Sequence, residues 1–318
     1  MQQLARPRRL VLVGSVLVDI LMYVDRLPER GGDTIARQTL LTSGGGFNVL
    51  IGAMRLGLPA SYAGRVGNGP MGAQVMAALT MANIPLLLPR VRGEDTGFDV
   101  GLAEASAEHT FVTAPGCESR LSLHDLQSIL LQPGDAIYVS GYELVYPVSG
   151  ASLETWLPEL AQEHLLVIDP GPLVLEIPDK RLASVLARTN ILSLNARELG
   201  LLTGLADLAT ATRSLAAYLA PGGFVVARMG EQGCWLASTT LEPLHLPTRP
   251  AHVVDTTGAG DAHVAALLAR LAMGDEIQTA TYVANIAASL AIEHLGPATC
   301  PTAQELQAAL QSATDQPR

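Results

Sequence analysis

Apolar positions along this chain fall into short unbroken runs and longer stretches with helical spacing, and from residue 136 onward the two kinds alternate. Residues 136–139, 165–168, 191–194 and 224–228 are of strand length and nearly all apolar. Between and after them, 152–162, 179–188, 196–203 and 209–220 read as helices. Strands without a polar face are covered on both sides, and strand–helix alternation gives right-handed crossovers. The pattern therefore predicts an α/β fold with a doubly wound, mostly parallel central sheet and helices on both faces.

The first half of the chain is less regular. Residues 10–18 form a near-continuous apolar run broken at Gly14-Ser15, which reads as one central strand ended by Asp19. Residues 43–48 (Ser43-Gly44-Gly45-Gly46-Phe47-Asn48) open a helix that runs to Leu56, stopped by Gly57 and Pro59. A strand at 60–63 and a helix at 73–83 follow. Two segments, 23–43 and 97–115, are extended, rich in turn residues and too polar for a core. They suggest a small sheet standing off the main body. Near the end, 251–254 reads as the last residues of a strand, a glycine-rich loop follows, and a helix begins near Asp261 with Val264, Leu267, Leu268 and Leu271 on one face. Residues 279–294 form a further helix striped with alanine. No internal repeat is present, and the chain beyond Gln311 reads as disordered.

Composition narrows the function classes. The chain has 318 residues, net charge −10, 48% hydrophobic and 16% charged residues, enough for one large α/β domain or two small ones. An acidic chain without a basic stripe is not built to bind nucleic acid. Cys117, Cys234 and Cys300 lack metal-ligand spacing and read as incidental thiols in a reducing compartment. Arg6, Arg8 and Arg9 before an apolar run imitate a signal peptide. Asp19 interrupts that run, no cleavage site follows, and no run reaches membrane-spanning length, so a cytoplasmic protein is expected.

The candidate chemistry centres on Asp255-Thr256-Thr257-Gly258-Ala259-Gly260-Asp261. Small residues before a helix let an anion reach backbone N–H groups, where the helix dipole also favours negative charge. A carboxylate placed there either caps the helix or is a base beside an arriving phosphoryl group; a cap contributes about 0.5–2 kcal/mol. Asn195 and Glu198 have the spacing of a capping box. Arg228 and the glycines at 230 and 233 form a tight turn after a strand. Gly67-Asn68-Gly69-Pro70-Met71-Gly72 satisfies the dinucleotide pattern G-x-G-x-x-G, but it is not on the first strand and Pro70 offers no N–H to a pyrophosphate.

The string D-T-T-G-A-G-D-A before an apolar helix resembles the C-terminal signature of the ribokinase-like (PfkB) carbohydrate kinases, and Gly45-Gly46 with Asn48 matches the N-terminal one. The resemblance spans nearly the whole chain, looks most like a little-characterised sugar-kinase subgroup, and implies one kinase domain over 1–318 with lid segments at about 20–43 and 97–115. It implies that Asp261 is the catalytic base and that the amides of Gly258, Ala259, Gly260 and Asp261 form an anion hole. Asp19, Gly45, Gly46 and Asn48 would bind the acceptor. Asn195, Glu198, Arg228, Gly230, Gly233 and Asn285 would attend the nucleotide, with Glu198 holding Mg²⁺ indirectly. Asp255 and Thr257 would hold a monovalent cation such as K⁺. The lid would also form a homodimer contact. His263 and Leu50 depart from the family pattern.

The implied activity is ATP-dependent phosphorylation of a hydroxyl, in particular an exocyclic CH₂OH, on a sugar or sugar-like molecule. Ribose, fructose, a keto-deoxy sugar acid and a nucleoside all remain open as acceptors. The absence of an Arg/Lys cluster in the acidic lid region argues against an already phosphorylated sugar, although Arg37, Arg90 and Arg92 could still reach the site. The alternatives are a nucleoside kinase of the same family, a non-catalytic sugar or nucleotide binder, and a dinucleotide enzyme built on Gly67 to Gly72.

Overall fold

The computed structural model describes residues 4–104 and 109–314. Two sheets organise them. The central sheet is built from β1 (Arg9–Val13), β4 (Ala60–Ala63), β7 (Asp135–Ser140), β8 (Leu165–Asp169), β9 (Ile191–Asn195), β10 (Phe224–Arg228), β11 (Cys234–Ser238) and β12 (Leu244–Leu246). Their spatial order is β12-β11-β10-β9-β8-β7-β1-β4, parallel from β4 to β10 and closed by the antiparallel pair β11 and β12. The second sheet has the order β3-β2-β5-β6, from β2 (Val16–Val24), β3 (Gln38–Gly45), β5 (Phe98–Glu104) and β6 (His109–Ala114), and forms the lid. Residues 105–108 of the expected lid segment fall outside the described residues.

Alternate residues of β1 face two separate cores, as an unbroken apolar strand requires. Leu10 and Leu12 pack with α1 (Phe47–Arg55), α2 (Pro70–Met81), α9 (Ala259–Met273), α10 (Ile277–Ala291) and α11 (Ala303–Thr314). Val11 and Val13 face the other layer, which holds α3 (Leu123–Ser128), α5 (Pro147–Trp156), α6 (Asp179–Leu186), α7 (Ala196–Thr203) and α8 (Leu208–Ala216). A single turn of helix, α4 (Gly141–Val145), follows β7.

Three expectations change. The apolar run 10–18 is two strands in different sheets, and Asp19 lies inside β2 rather than at a strand end. The chain leaves the central sheet at Gly14, whose φ of 145° suits glycine and whose missing Cβ leaves room for Glu143. Tyr62 replaces the lost sheet bonds: its hydroxyl donates to the Gly14 carbonyl and accepts the Val16 N–H, both at 2.9 Å. Residues 251–254 are not a strand. Among the described residues no strand lies beside them; the Val254 and Asp255 N–H groups both turn to the Ile292 carbonyl, and Val253 and Val254 are exposed. Finally, α11 continues past Gln311 to Thr314, because Leu306 anchors it on the core; residues 315–318 lie outside the described residues.

Candidate active site

Ser140, Asp169, Asn195 and Arg228 end four neighbouring parallel strands, the edge of an open α/β sheet where ligands gather. Between that edge and the lid lies a cavity of about 210 Å³. Ser15, Leu17, Gly45 and Gly46 line it where the chain enters and leaves the lid, and Asp99 and Thr113 line it from the lid strands. Tyr138, Ser140, Tyr142, Tyr146, Asp169, Glu198 and Asp261 complete the lining, with Ser140 and Asp169 side by side in the β7–β8 register.

The first turn of α9 is an anion-ready surface. Gly258 adopts φ 76°, and a Cβ there would fall 2.1 Å from the Pro297 carbonyl oxygen, so the turn needs glycine. Among the described residues the N–H groups of Gly258, Gly260 and Asp261 have no protein partner, as the first turn of a helix leaves them. The Ala259 N–H corrects the expected set: it donates to the Thr256 carbonyl at 3.2 Å, closing the turn that leads into the helix. Asp261 does not cap the helix. Its Oδ2 accepts from Asn48 Nδ2 at 3.1 Å across the cavity floor. Burial raises its pKa to about 7; Asp169 adds to the rise, while Asn48 and Arg228 oppose it.

Arg228 lies beneath this turn. Its Nη1 donates to Asp169 Oδ2 at 2.9 Å, Ser193 Oγ at 3.1 Å and the Gly260 carbonyl at 3.5 Å. The guanidinium is thus tied to the strand ends and is absent from the cavity lining. It places a cation behind the anion-ready amides.

On the acceptor side, Gly45 and Gly46 reach the cavity directly, whereas Asp19 and Asn48 stand behind its lining. Asp19 is buried against Gly44, where a Cβ would overlap its carboxylate. Asp19 Oδ1 and Asn48 Oδ1 are buried without a hydrogen-bond partner, a costly state unless a ligand supplies a donor. Burial, then Asp99, then Asp261 push the Asp19 carboxyl up to about 7.

Asp99 was not read from the sequence. It is paired with Asp19 in the β2–β5 register, lines the cavity, and carries a further orphaned oxygen, Oδ1. Asp169 and Glu143 were missed as well. An acidic residue at the end of a parallel strand is a signal that would have found Asp169. Glu143 is fully buried, accepts a short bond from Ser15 Oγ, and is raised to about 8 by burial.

The expected nucleotide residues are spread more widely. Asn195 and Glu198 form the capping box: Asn195 Oδ1 accepts the Glu198 N–H, and the Glu198 carboxylate accepts from the Asn195 N–H and Nδ2, at 2.8–2.9 Å. Glu198 also lines the cavity, its pKa raised by burial and by Asp169. Gly230 and Gly233 make the β10–β11 turn with φ 58° and 83°, away from the cavity lining. The Asn285 side chain is already engaged, donating to the Leu246 and Pro247 carbonyls and bonding His263 Nε2 at 3.1 Å. The G-x-G-x-x-G stretch offers no pyrophosphate site, since the Asp95 carboxylate accepts the Met71 and Gly72 N–H groups at the start of α2.

Among the described residues no group of three or more His, Cys, Asp or Glu side chains could hold a metal ion, and no helix is long and apolar enough to cross a membrane. Asp255 does not fit a monovalent cation. Its oxygens meet the Thr257 N–H, the Tyr23 hydroxyl, the Gly296 N–H and His109 Nε2.

Known proteins share this architecture and sequence. The pfkB family carbohydrate kinase description matches residues 7–304. The chain is 31% identical over 314 residues to the uncharacterized sugar kinase YegV of Escherichia coli (strain K12), covering 96% of this chain and 94% of that one. Ribokinase of Thermotoga maritima superposes with a TM-score of 0.81 at 20% identity, covering 95% and 99% of the two chains. Arabidopsis thaliana ribokinase, solved with ribose and ATP, does so with a TM-score of 0.75 at 21% identity, covering 96% and 99%. With its central sheet, its lid and both glycine-rich segments inside the matched span, the chain belongs to the pfkB family of carbohydrate kinases.

Proposed function

We propose that the whole chain acts as one ATP-dependent kinase unit, with 20–43 and 97–115 as its lid, that phosphorylates a hydroxyl of an uncharged sugar-like polyol. The observation that carries the reading is Asp261, a carboxylate raised to about 7 in the same helical turn as three unpartnered N–H groups. A base poised near neutral pH beside an anion-stabilising surface is what phosphoryl transfer to an alcohol needs. The exocyclic CH₂OH fits best, being the hydroxyl that projects furthest from a sugar ring toward such a surface.

In the proposed step Asp261 takes the hydroxyl proton as that oxygen bonds to the γ-phosphorus of ATP. The bond from phosphorus to the bridging β-phosphate oxygen breaks, and ADP leaves. The N–H groups of Gly258, Gly260 and Asp261 receive charge on the transferring phosphoryl, with Arg228 behind them. Asp19, Asn48 and Asp99 accept from or orient acceptor hydroxyls through their orphaned oxygens, and Gly45 and Gly46 let the acceptor close on the backbone. Mg²⁺ would neutralise phosphate charge when bound with ATP, and Glu198, whose side chain lines the cavity, would hold it indirectly. Gly230, Gly233 and Asn285 would shape the nucleotide site indirectly, Asn285 by fixing residues 246–247.

Charge supports this acceptor class. Asp99, Asp169, Glu198 and Asp261 line the cavity, while none of Arg37, Arg90 and Arg92 does. Arg37 pairs with Asp25, and Arg90 binds the Gly67 carbonyl. A sugar acid or sugar phosphate would enter against the carboxylates of Asp99, Glu198 and Asp261, Asp169 being paired with Arg228, which leaves ribose, fructose or a nucleoside ahead of a keto-deoxy sugar acid. Use of ATP as phosphoryl donor supports a cytoplasmic site of action. Exposed Leu41 and Val112, in one row across the lid sheet, support a homodimer through that face.

ADP release from Mg-ATP tests the reading against ribose, fructose and adenosine, with gluconate and fructose 6-phosphate as anionic counterparts. A neutral acceptor should exceed its anionic counterpart by at least ~10-fold in kcat/KM, about 1.4 kcal/mol of discrimination. An anionic acceptor that is turned over best would refute the acceptor class. ATP and sugar binding without any turnover would favour the non-catalytic binder.

A further inference from the structure

The lid and the loop before α9 meet at one carboxylate. Asp255 Oδ1 accepts the Thr257 N–H at 2.8 Å and lies 3.3 Å from His109 Nε2. Its Oδ2 accepts the Tyr23 hydroxyl at 2.9 Å and the Gly296 N–H at 3.0 Å. Tyr23 comes from β2 and His109 from β6, so two lid strands converge on it. The His109 ring also reaches Thr257 Oγ1 through both nitrogens, at 3.3 and 3.4 Å, and stacks nearly parallel to Phe111. The contact is sheltered, with 11% of the His109 side chain and 2% of Asp255 exposed.

An ionised carboxylate offers roughly four lone-pair sites. Each Asp255 oxygen already meets two donors, so a cation would have to displace one of them. Burial alone would raise the Asp255 pKa; the bonds from His109, Thr257 and Gly296 outweigh it and hold the group ionised. The carboxylate is therefore fully satisfied by the protein.

We infer that His109 replaces a bound monovalent cation at Asp255, fixing the Asp255–Thr257 turn, and through it the α9 amides, whenever the lid is in place. The inference rests on the kinase reading of those amides. His109 does not line the cavity that holds Asp261, so it acts as a positioning residue. Two consequences separate it from a purely structural contact. Phosphoryl transfer should not need K⁺, and losing the ring should create a K⁺ requirement where none existed.

The test compares the full-length protein in KCl and in tetramethylammonium chloride at equal ionic strength, reading both ADP formation and the thermal midpoint. The wild type should keep its kcat within ~2-fold and its midpoint unchanged across the two salts. His109→Ala in tetramethylammonium should lose roughly 10-fold in kcat with little change in acceptor KM, the size expected for a slightly misplaced catalytic turn. K⁺ should restore most of that loss and raise the midpoint of this variant by a few degrees, as a ligand that binds only the folded state does. His109→Gln retains an N–H donor and should stay K⁺-independent. A wild type that loses ~10-fold in rate without K⁺, or whose midpoint K⁺ raises, overturns the inference. So does a His109→Ala variant indifferent to the salt. If no acceptor is phosphorylated, the midpoints still decide the question, and only the kinase reading falls.

Discussion

The turn that begins α9 and the sheet that covers it deliver their carboxylates in opposite ways. Asp261 and the unpartnered amides beside it lie in one short run of sequence, so the local turn alone brings the proposed base and the proposed anion surface together. Asp19 and Asp99 lie far apart in the chain and meet only because β2 and β5 run parallel in register. A one-residue slip would turn every side chain of β5 to the other face of the lid. The difference suggests that reaction chemistry is fixed locally, while acceptor choice is held in strand register and can change without touching the chemistry.

The strongest way to break the local half is Gly258→Ala. The left-handed backbone and the contact with Pro297 both oppose a Cβ, and moving the first amides should lower kcat by about 100-fold. Steady-state kinetics would check this; a variant with wild-type kcat would remove the amides from the account.

Asp99→Asn sharpens the lid half. It removes one negative charge while keeping the shape, so the preference for neutral over anionic acceptors should shrink by ~10-fold, about 1.4 kcal/mol, with kcat on the neutral acceptor little changed. Unaltered discrimination would assign selection to other residues.

The smallest expected effect joins the two halves through pH. Asp19, Asp261 and Glu143 have folded pKa values raised to about 7, 7 and 8, above ordinary carboxylates. The folded state therefore holds protons that the unfolded chain has released, and stability falls as pH rises from about 4 to 8. Urea unfolding should give a stability that falls steadily from pH 5 to pH 8. Asp19→Asn should flatten that slope, and a slope of opposite sign would contradict the assigned shifts.

Much of the fold was legible because strand–helix alternation is a local pattern, and the capping box at Asn195 and Glu198 is a spacing of three. The split between β1 and β2 was not, since both strands are apolar and the reason for the break, Glu143 packing on Gly14, comes from a distant segment. Residues 251–254 misled for the converse reason: their β-branched character suggested a strand, but the Val254 and Asp255 N–H groups turn to the Ile292 carbonyl instead of a neighbouring strand. In the site, the aspartate of the glycine-rich turn could be read directly. Asp99 could not, because nothing in its own neighbourhood marks it until β2 is laid beside it. The engagement of the Ala259 N–H and of the Asn285 amide likewise depends on backbone and tertiary contacts that spacing does not reveal.

Asp261→Asn, measured by single-turnover phosphorylation of the best neutral acceptor at saturating Mg-ATP, addresses the central assignment most directly. The rate constant for phosphoryl transfer should fall by at least ~100-fold with ATP and acceptor still bound, and the wild-type kcat/KM should rise with pH up to about 7. A near-normal transfer rate in the variant, or a wild-type profile flat through that range, would mean that Asp261 is not the base.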